Sequence, residues 1–359
     1  RFLRLSAAAG LAAALHPAPL RAAGASASGA FSDPSFDAPP AGGSAPLLTI
    51  LHTNDTHARH EPFPAESFAH PGLGGALRRA RLIDAIRLEP QPVLLFDAGD
   101  FFQGTPWFTA FRGRLELEMM RAMGYDAVAL GNHEFDLGVS ELASALRAHP
   151  LPMVCANYEL SDTPLASHIR KYRVLTAPSG LRVGVFGLGV SLEGLLPASK
   201  WEGVLMRDPF LWASSMVRIL RGFQRCDLVV CLSHLGLRPD GAGTAAVPDD
   251  TRLVENVAGL DLVIGGHTHT FLHAPVIRVD PAGRSVPIVQ AGHGGIRLGR
   301  FDVHFSAHLA SRGREGLLSR FSRRRAVDAG IGTADQVLPP VPSYRWRQYE
   351  IADPIRELS

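Results

Sequence analysis

An α/β fold is predicted by the alternation of short apolar, strand-like runs with segments of helical periodicity between Leu47 and Phe305. Five of the runs end in a short polar cluster, and the carboxyl end of a strand is where open α/β sheets place their ligands. Three closely spaced runs near the end read as a terminal β-meander.

In chain order, the run at residues 47–52 leads into Asp55 and His57, and that at 93–96 into Gly99 and Asp100. The run at 127–130 precedes Gly131, Asn132, His133 and Glu134; that at 228–232 precedes Ser233 and His234; that at 262–264 precedes His267 and His269. Helices are expected at residues 73–88, 115–123, 140–148 and 209–222, where apolar side chains recur at helical spacing. Further strands are expected at 181–188, 227–232 and 261–264. The meander follows at 276–279, 286–291 and 300–305, with a turn at Pro281 and Gly283.

The totals limit the function classes. A chain of 359 residues, 46% hydrophobic, can bury the core of one large domain with appendages. Its 36 basic and 34 acidic residues leave a net charge of +2, without the electrostatic footprint of a protein that binds a nucleic-acid polymer. Three cysteines, Cys155, Cys226 and Cys231, imply no disulfide framework and read as small buried hydrophobes.

Residues 1–27 join a basic start to an Ala-rich apolar stretch and then small residues, the pattern of a secretory signal. His16, Pro17 and Pro19 interrupt the stretch, so a cleaved leader is expected and no stable membrane span. A further Arg before Arg1 would give it a twin-arginine character. An exported protein, periplasmic or extracellular, is the expectation. Residues 28–46, rich in Ala, Gly, Ser and Pro, read as a flexible linker, 47–306 as the folded domain that carries the polar clusters, and 307–359 as a basic, Pro-containing peripheral tail.

The clusters supply oxygen and imidazole nitrogen, donors that suit divalent Zn, Mn, Fe or Co. Asp55 and His57 alternate past Thr56 and can point to one face of an extended chain. Gly99 lets the chain turn and present Asp100 as a carboxylate able to bridge two cations, while Asp97, inside the strand, is expected to be structural. Asn132 offers an amide oxygen. His133 and Asp136 can hydrogen-bond across one turn, and a carboxylate on one ring nitrogen favours the imidazolium that a general acid requires. Glu134 is expected to point elsewhere.

With Thr53 to His57, Asp97 to Gly104, Gly131 to Asp136, Ser233 with His234, and Gly266 to His269 in that order, the sequence resembles the calcineurin-like metallophosphatases. It is most similar to their 5′-nucleotidase branch, over about residues 47–305. The resemblance implies a four-layer αββα sandwich of two mixed sheets. It implies two divalent ions (Zn, Mn, Fe, Co or Mg), one held by Asp55, His57, Asp100 and His269, the other by Asp100, Asn132, His234 and His267. It further implies that His133, oriented by Asp136, contacts the phosphate and assists the leaving group. Substrate contacts are expected from Asn132, His133 and His293, with Gln103 helping to shape the pocket floor. His269 departs from certain members that carry Gln there, which leaves the preferred metal open.

The implied reaction is hydrolysis of a phosphate ester, nucleoside 5′-monophosphates first. A 2′,3′-cyclic nucleotide or nucleotide-sugar phosphodiesterase is the alternative. Two-domain members add a C-terminal domain that stacks the nucleobase. No segment of that length follows Phe305, so the sequence leads to the expectation of a separate nucleotide-recognition chain. The remaining histidines, His52, His60 and His70, are expected to satisfy local hydrogen bonds.

Overall fold

The computed structural model describes residues 46–238, 247–304 and 343–352. The expected leader, and the expected linker up to Ala45, lie outside the described residues.

The chain opens with β1 (Leu48–Thr53), every residue of which is buried. Alternation along the strand explains why: Leu48 and Ile50 enter the layer between two sheets, while Leu51 packs on the opposite face with the first set of helices. There follow α1 (Ala76–Arg87), β2 (Val93–Asp97), α2 (Pro106–Phe111), α3 (Arg114–Met123), β3 (Ala127–Ala129) and α4 (Val139–Ala148). Next come β4 (Met153–Val154), β5 (Tyr158–Glu159), β6 (Ile169–Arg170), β7 (Tyr172–Thr176), β8 (Arg182–Leu188) and β9 (Leu205–Met206). The chain continues through α5 (Pro209–Arg218), β10 (Leu228–Ser233), α6 (Asp250–Asn256), β11 (Leu262–Gly265), β12 (Val276–Val279), β13 (Ser285–Val289), β14 (Arg297–His304) and β15 (Ser343–Glu350).

Local chemistry sets the helix ends. The Asp208 side chain accepts from the amides of Phe210 and Leu211 and Pro209 takes the first helical position, so α5 starts there. Asp249 caps α6 in the same way, through the amides of Thr251 and Arg252. Gly124, left-handed at φ 69°, closes α3. The helix expected over residues 209–222 is α only to Arg218 and continues as a π-helical turn, Ile219–Phe223.

The strands form two large sheets and a two-stranded one, β5 with β9. The first large sheet has the order β15-β14-β1-β2-β3-β4-β6 and the second β12-β13-β11-β10-β8-β7. Both are mixed. In the first, β1, β2, β3, β4 and β6 run parallel, with β14 antiparallel to β1. In the second, β8, β10, β11 and β13 are parallel, with antiparallel β7 and β12 at the edges. Ile50, Phe96, Val185, Val230, Ile264 and Phe301 fill the space between the sheets. Helices α1, α3 and α4 cover the outer face of the first sheet and α5 and α6 that of the second, giving the four layers.

Two expectations fail here. The terminal runs do not form a meander: β12 and β13 pair in the second sheet, but β14 crosses to the first and pairs with β1. Nor does the fold end at residue 306. Residues 343–350, expected as part of a peripheral tail, form β15 and extend the first sheet through eight Cα pairs with β14. Tyr344 is buried against Phe301, with ring centroids 4.4 Å apart. The three cysteines are free and buried, and no helix among the described residues is long and apolar enough to cross a membrane.

Candidate metal centre

Asp55 and His57 follow β1, Asp100 follows β2, Asn132 and His133 follow β3, His234 follows β10, and His267 and His269 follow β11. Backbone hydrogen bonds tie these loops together. The amide of Asp55 donates to the Gly99 carbonyl (2.8 Å), that of His57 to Asp100 O (3.1 Å), and that of Gly266 to Ser233 O (2.9 Å). The turns are tight enough that Asp55, His57, Asp100, His267 and His269 all have left-handed backbones, φ between 48° and 71°. Such conformations cost about 1–2 kcal/mol each for residues other than glycine, and they persist where the surroundings dictate them.

Two donor groups result. Asp55, His57 and His269 form one, and Asp100, His234 and His267 the other; within each, the ligand atoms lie within 4.8 Å of one another. In the first, His57 Nε2 and His269 Nε2 are 2.8 Å apart, and Asp55 Oδ1 is 4.0 Å from the former and 3.5 Å from the latter. In the second, Asp100 Oδ2 lies 3.0 Å from His234 Nε2. Asn132 joins through its amide oxygen, 3.1 Å from His267 Nδ1. Asp55 Oδ1 is also 4.0 Å from His234 Nε2, so the two groups face each other.

The donor atoms of each group fit a divalent ion. His234 Nδ1 donates to the Ala98 carbonyl at 2.7 Å, which leaves Nε2, on the Asp100 side of the ring, as the nitrogen able to ligate once its proton is displaced. That Nε2 is buried and makes no well-aligned hydrogen bond in spite of the nearby carboxylate. His57 Nδ1 likewise reaches the Phe102 carbonyl, 3.2 Å away, and turns Nε2 toward His269. Oxygen and imidazole donors with no thiolate suit Zn, Mn, Fe or Co.

The electrostatics agree. Burial opposes charge on His234, but Asp100 and then Asp55 outweigh it and push the imidazole up to about 10. The same carboxylate field that retains a proton on His234 would attract a cation in its place. Burial would raise Asp100, yet His234, His133 and His57 hold its carboxyl below the usual range. Burial, then the positive His234, brings His267 down to about 4, which keeps it neutral and available as a ligand.

His133 opens a short turn, His133–Phe135, that Asp136 closes, with His133 Nδ1 3.0 Å from Asp136 Oδ2. Burial disfavours the imidazolium, but the hydrogen bond that the ring donates to Asp136 and the field of Asp100 outweigh it and raise the pKa. His133 is part-exposed and its ring stands 5.3 Å from that of His57, edge to face.

Sequence reasoning missed two supporting residues. Glu134 is in neither donor group, and its carboxylate accepts from the amides of Gly131, Asp100, Phe101 and Phe102 at 2.6–3.1 Å. It thereby joins the β2 and β3 loops. Asn54 donates to Asp55 Oδ2 (2.6 Å) and accepts from the Ala291 amide (2.8 Å), so it positions the first carboxylate. Motif adjacency was the available signal for both.

Asp97 is structural, accepting from the Thr53 hydroxyl (2.5 Å) and the Gly99 amide (2.9 Å), with burial raising its pKa to about 7. Gln103 has a left-handed backbone, φ 70°, beside the His57 loop. His293 stacks on His269, ring centroids 5.0 Å apart. His60 finds Glu116 at 3.0 Å, as a local partner. His52 does not follow that expectation: it is fully buried, and neither ring nitrogen has a hydrogen-bond partner among the described residues.

The sequence model of the calcineurin-like phosphoesterase family matches residues 48–271. The snake venom 5′-nucleotidase of Naja atra is 35% identical over 276 residues, 72% of this chain and 50% of that protein. The trifunctional nucleotide phosphoesterase protein YfkN of Bacillus subtilis is 32% identical over 291 residues, 72% of this chain and 18% of that protein. Among solved structures, the 5′-nucleotidase precursor from Thermus thermophilus superposes with a TM-score of 0.63 at 30% identity, covering 79% of this chain and 60% of that one. The chain thus spans half the length, or less, of these curated relatives. The family match covers well over half of the 359 residues, and the chain belongs to the calcineurin-like phosphoesterases.

Proposed function

We propose that the chain is the catalytic part of an exported, metal-dependent hydrolase of phosphate esters, with nucleoside 5′-monophosphates as its first substrates. The observation that carries this reading is the convergence of two three-residue donor groups beside a part-exposed imidazole paired with a carboxylate. Asp55, His57 and His269 would hold one divalent ion and Asp100, Asn132, His234 and His267 the other, with Asp100 as the bridge. When bound, the ions supply Lewis-acid stabilisation of the phosphate charge and activate the attacking water.

The chain's own groups do the rest. Asp136 holds the His133 ring and favours its protonated form, so His133 donates a hydrogen bond to the ester and a proton to the departing alkoxide. The Ala98 and Phe102 carbonyls keep His234 and His57 in the ligating tautomer. Glu134 and Asn54 keep the loops in register around the phosphate.

Nucleotide esters are favoured by the identities to a 5′-nucleotidase and to a nucleotide phosphoesterase. The second relative is named as a trifunctional nucleotide phosphoesterase, which favours more than one kind of nucleotide ester; 2′,3′-cyclic nucleotides and nucleotide sugars are the second reading. A separate chain that recognises the base belongs to the same proposal. The test is product analysis across AMP, UMP, 2′,3′-cyclic AMP, UDP-glucose and an aryl phosphate, following free phosphate and the nucleoside, nucleotide and sugar-phosphate products. Phosphate release from AMP and UMP faster than cleavage of the others supports the nucleotidase reading; opening of 2′,3′-cyclic AMP to a nucleoside monophosphate, or cleavage of UDP-glucose to UMP and glucose 1-phosphate, with no phosphate released from AMP or UMP, overturns it in favour of the second. Release from the aryl ester alone, with AMP cleaved once a base-binding chain is added, supports the two-chain form.

A further inference from the structure

We propose that Phe63, His70, Phe271 and His293 form a ring shelf beside the first donor group, and that it receives a planar aromatic ring carried by the leaving group of the ester. The proposal rests on the hydrolase reading for its place in the reaction, but not for its binding chemistry.

The four rings meet edge to face or tilted. Centroids are 5.6 Å apart for Phe63 and His70, 5.4 Å for His70 and Phe271, 5.5 Å for Phe271 and His293, and 5.5 Å for His70 and His293. His293 connects them to the site by stacking on His269, 5.0 Å away and 26° from parallel. From His133 the rings of His57, His269 and His293 follow one another at 5.3, 4.8 and 5.0 Å. A leaving group released beside His133 therefore has a continuous run of rings leading from the phosphate to the shelf.

The shelf is built into the ligand loops. The Gly294 amide donates to the Asp55 carbonyl at 2.7 Å, and the Asn54 side chain holds both Ala291 and Gly292. Phe271 is bridged to Ala291, and a Cβ on Gly292 would collide with the Phe271 ring. A Cβ on Gly294 would lie 2.9 Å from the ring of Phe63. The two glycines thus allow the phenyl rings to lie directly on the loop that carries His293.

Core packing does not account for these rings. All four are part-exposed, and neither Phe63 nor Phe271 belongs to any of the three buried clusters among the described residues. Arg59 lies over the Phe63 ring at 4.3 Å and Arg297 over Phe271 at 4.9 Å, so the guanidinium groups support the shelf and hold its rings in place. Stacking on aromatic side chains is tolerant of which base is offered, because every base has a π face. A nucleobase and a simple aryl ring share that chemistry.

The test uses the full chain and adenosine, phenol and ribose as separate probes, followed by calorimetry or ligand-observed NMR. Adenosine binding that weakens about tenfold in both Phe63→Leu and Phe271→Leu, with ribose unbound, supports the shelf and assigns it to bases. The same loss for phenol alone supports the shelf and assigns it to aryl esters. Leucine keeps apolar bulk, so the fold can be checked by its melting temperature. Equal adenosine and phenol affinities in wild type and variants, or no binding of either, overturn the proposal. In turnover, the AMP over glycerol phosphate ratio of kcat/KM should fall about tenfold in each variant; an unchanged ratio, with both substrates slowed alike, overturns it. Ring-dependent adenosine binding in a chain that releases phosphate from no ester contradicts the hydrolase reading and supports the shelf.

Discussion

Glu134 accepts a hydrogen bond from the backbone amide of Asp100 at 3.0 Å, so the loop after β3 holds the carboxylate that follows β2. The same carboxylate collects the amides of Gly131, Phe101 and Phe102. Glu134→Ala leaves four buried donors without a partner, at about 1–3 kcal/mol for each that water does not reach. The expected result is a melting temperature lower by about 10 °C or more and metal retention weakened about 10–100-fold. Thermal melts with metal analysis check it, and a variant with wild-type metal content and melting would show that the loops hold themselves.

Asp100 presents one oxygen to the His133 amide (2.9 Å) and the other to His234 Nε2 (3.0 Å), and the proposed centre makes it the bridge between the two donor groups. Asp100→Ala should leave less than one tightly held ion per chain and reduce turnover by more than about 10³-fold, measured on extensively dialysed protein. Retention of full metal content would remove Asp100 from the bridging role.

His133→Asn should slow turnover by about 10²–10⁴ with metal content unchanged, as expected for lost proton donation. Loss of metal would instead make His133 a ligand. Asp136→Asn removes the partner that raises the His133 pKa against burial, so that pKa should fall. Because a general acid acts when protonated, activity is lost as pH rises through its pKa. The alkaline limb of the pH–rate profile should therefore move to lower pH, and a limb that stays in place assigns it to another group.

His52 gives a prediction away from the chemistry. Burial brings its pKa down to about 3 from the ordinary 6.5, and its ring lies over Gly299, where a Cβ would collide with it. Between these values the unfolded chain binds a proton that the folded chain refuses. The stability is therefore fully present above pH 6.5 and is lost as pH falls toward 3. His52→Phe should lessen the loss between pH 7 and pH 5 by about 2 kcal/mol, read from urea midpoints. An unchanged acid dependence would place the sensitive group elsewhere.

The parts of the fold that the sequence made legible are those with a local signature. The run at residues 228–232 is apolar on both faces because β10 is covered by α5 and α6 on one side and by the first sheet on the other. Its end could be read from His234. The destination of β14 could not, because its residues look the same whether the strand continues a meander or crosses to the other sheet; the choice is made by pairing with β1, some 250 residues earlier. β15 did carry a signal in the alternation of Tyr344, Arg345, Trp346 and Arg347, obscured by the basic and Pro-rich residues before it. Two-residue strands such as β4, β5, β6 and β9 are too short to show a period. Pro106 and Asp249 could have marked the starts of α2 and α6.

At the site, Asp55, His57 and His269 come together, as do Asp100, His234 and His267 with Asn132 beside them, and His133 pairs with Asp136; such residues could be read because strand ends are local features of sequence. What was illegible is the scaffolding. The bonds from Asn54 to the Gly292 loop and the packing of Phe63 and Phe271 around His293 join residues more than 200 positions apart or across separate loops, and only the fold brings them together.

The central claim is tested most directly by titrating metal-stripped protein with Mn²⁺ or Zn²⁺ while following phosphate release from AMP. The account predicts no release without metal and a rate that rises until about two ions are bound per chain. Undiminished release from the stripped protein, or saturation at a single ion, would contradict it.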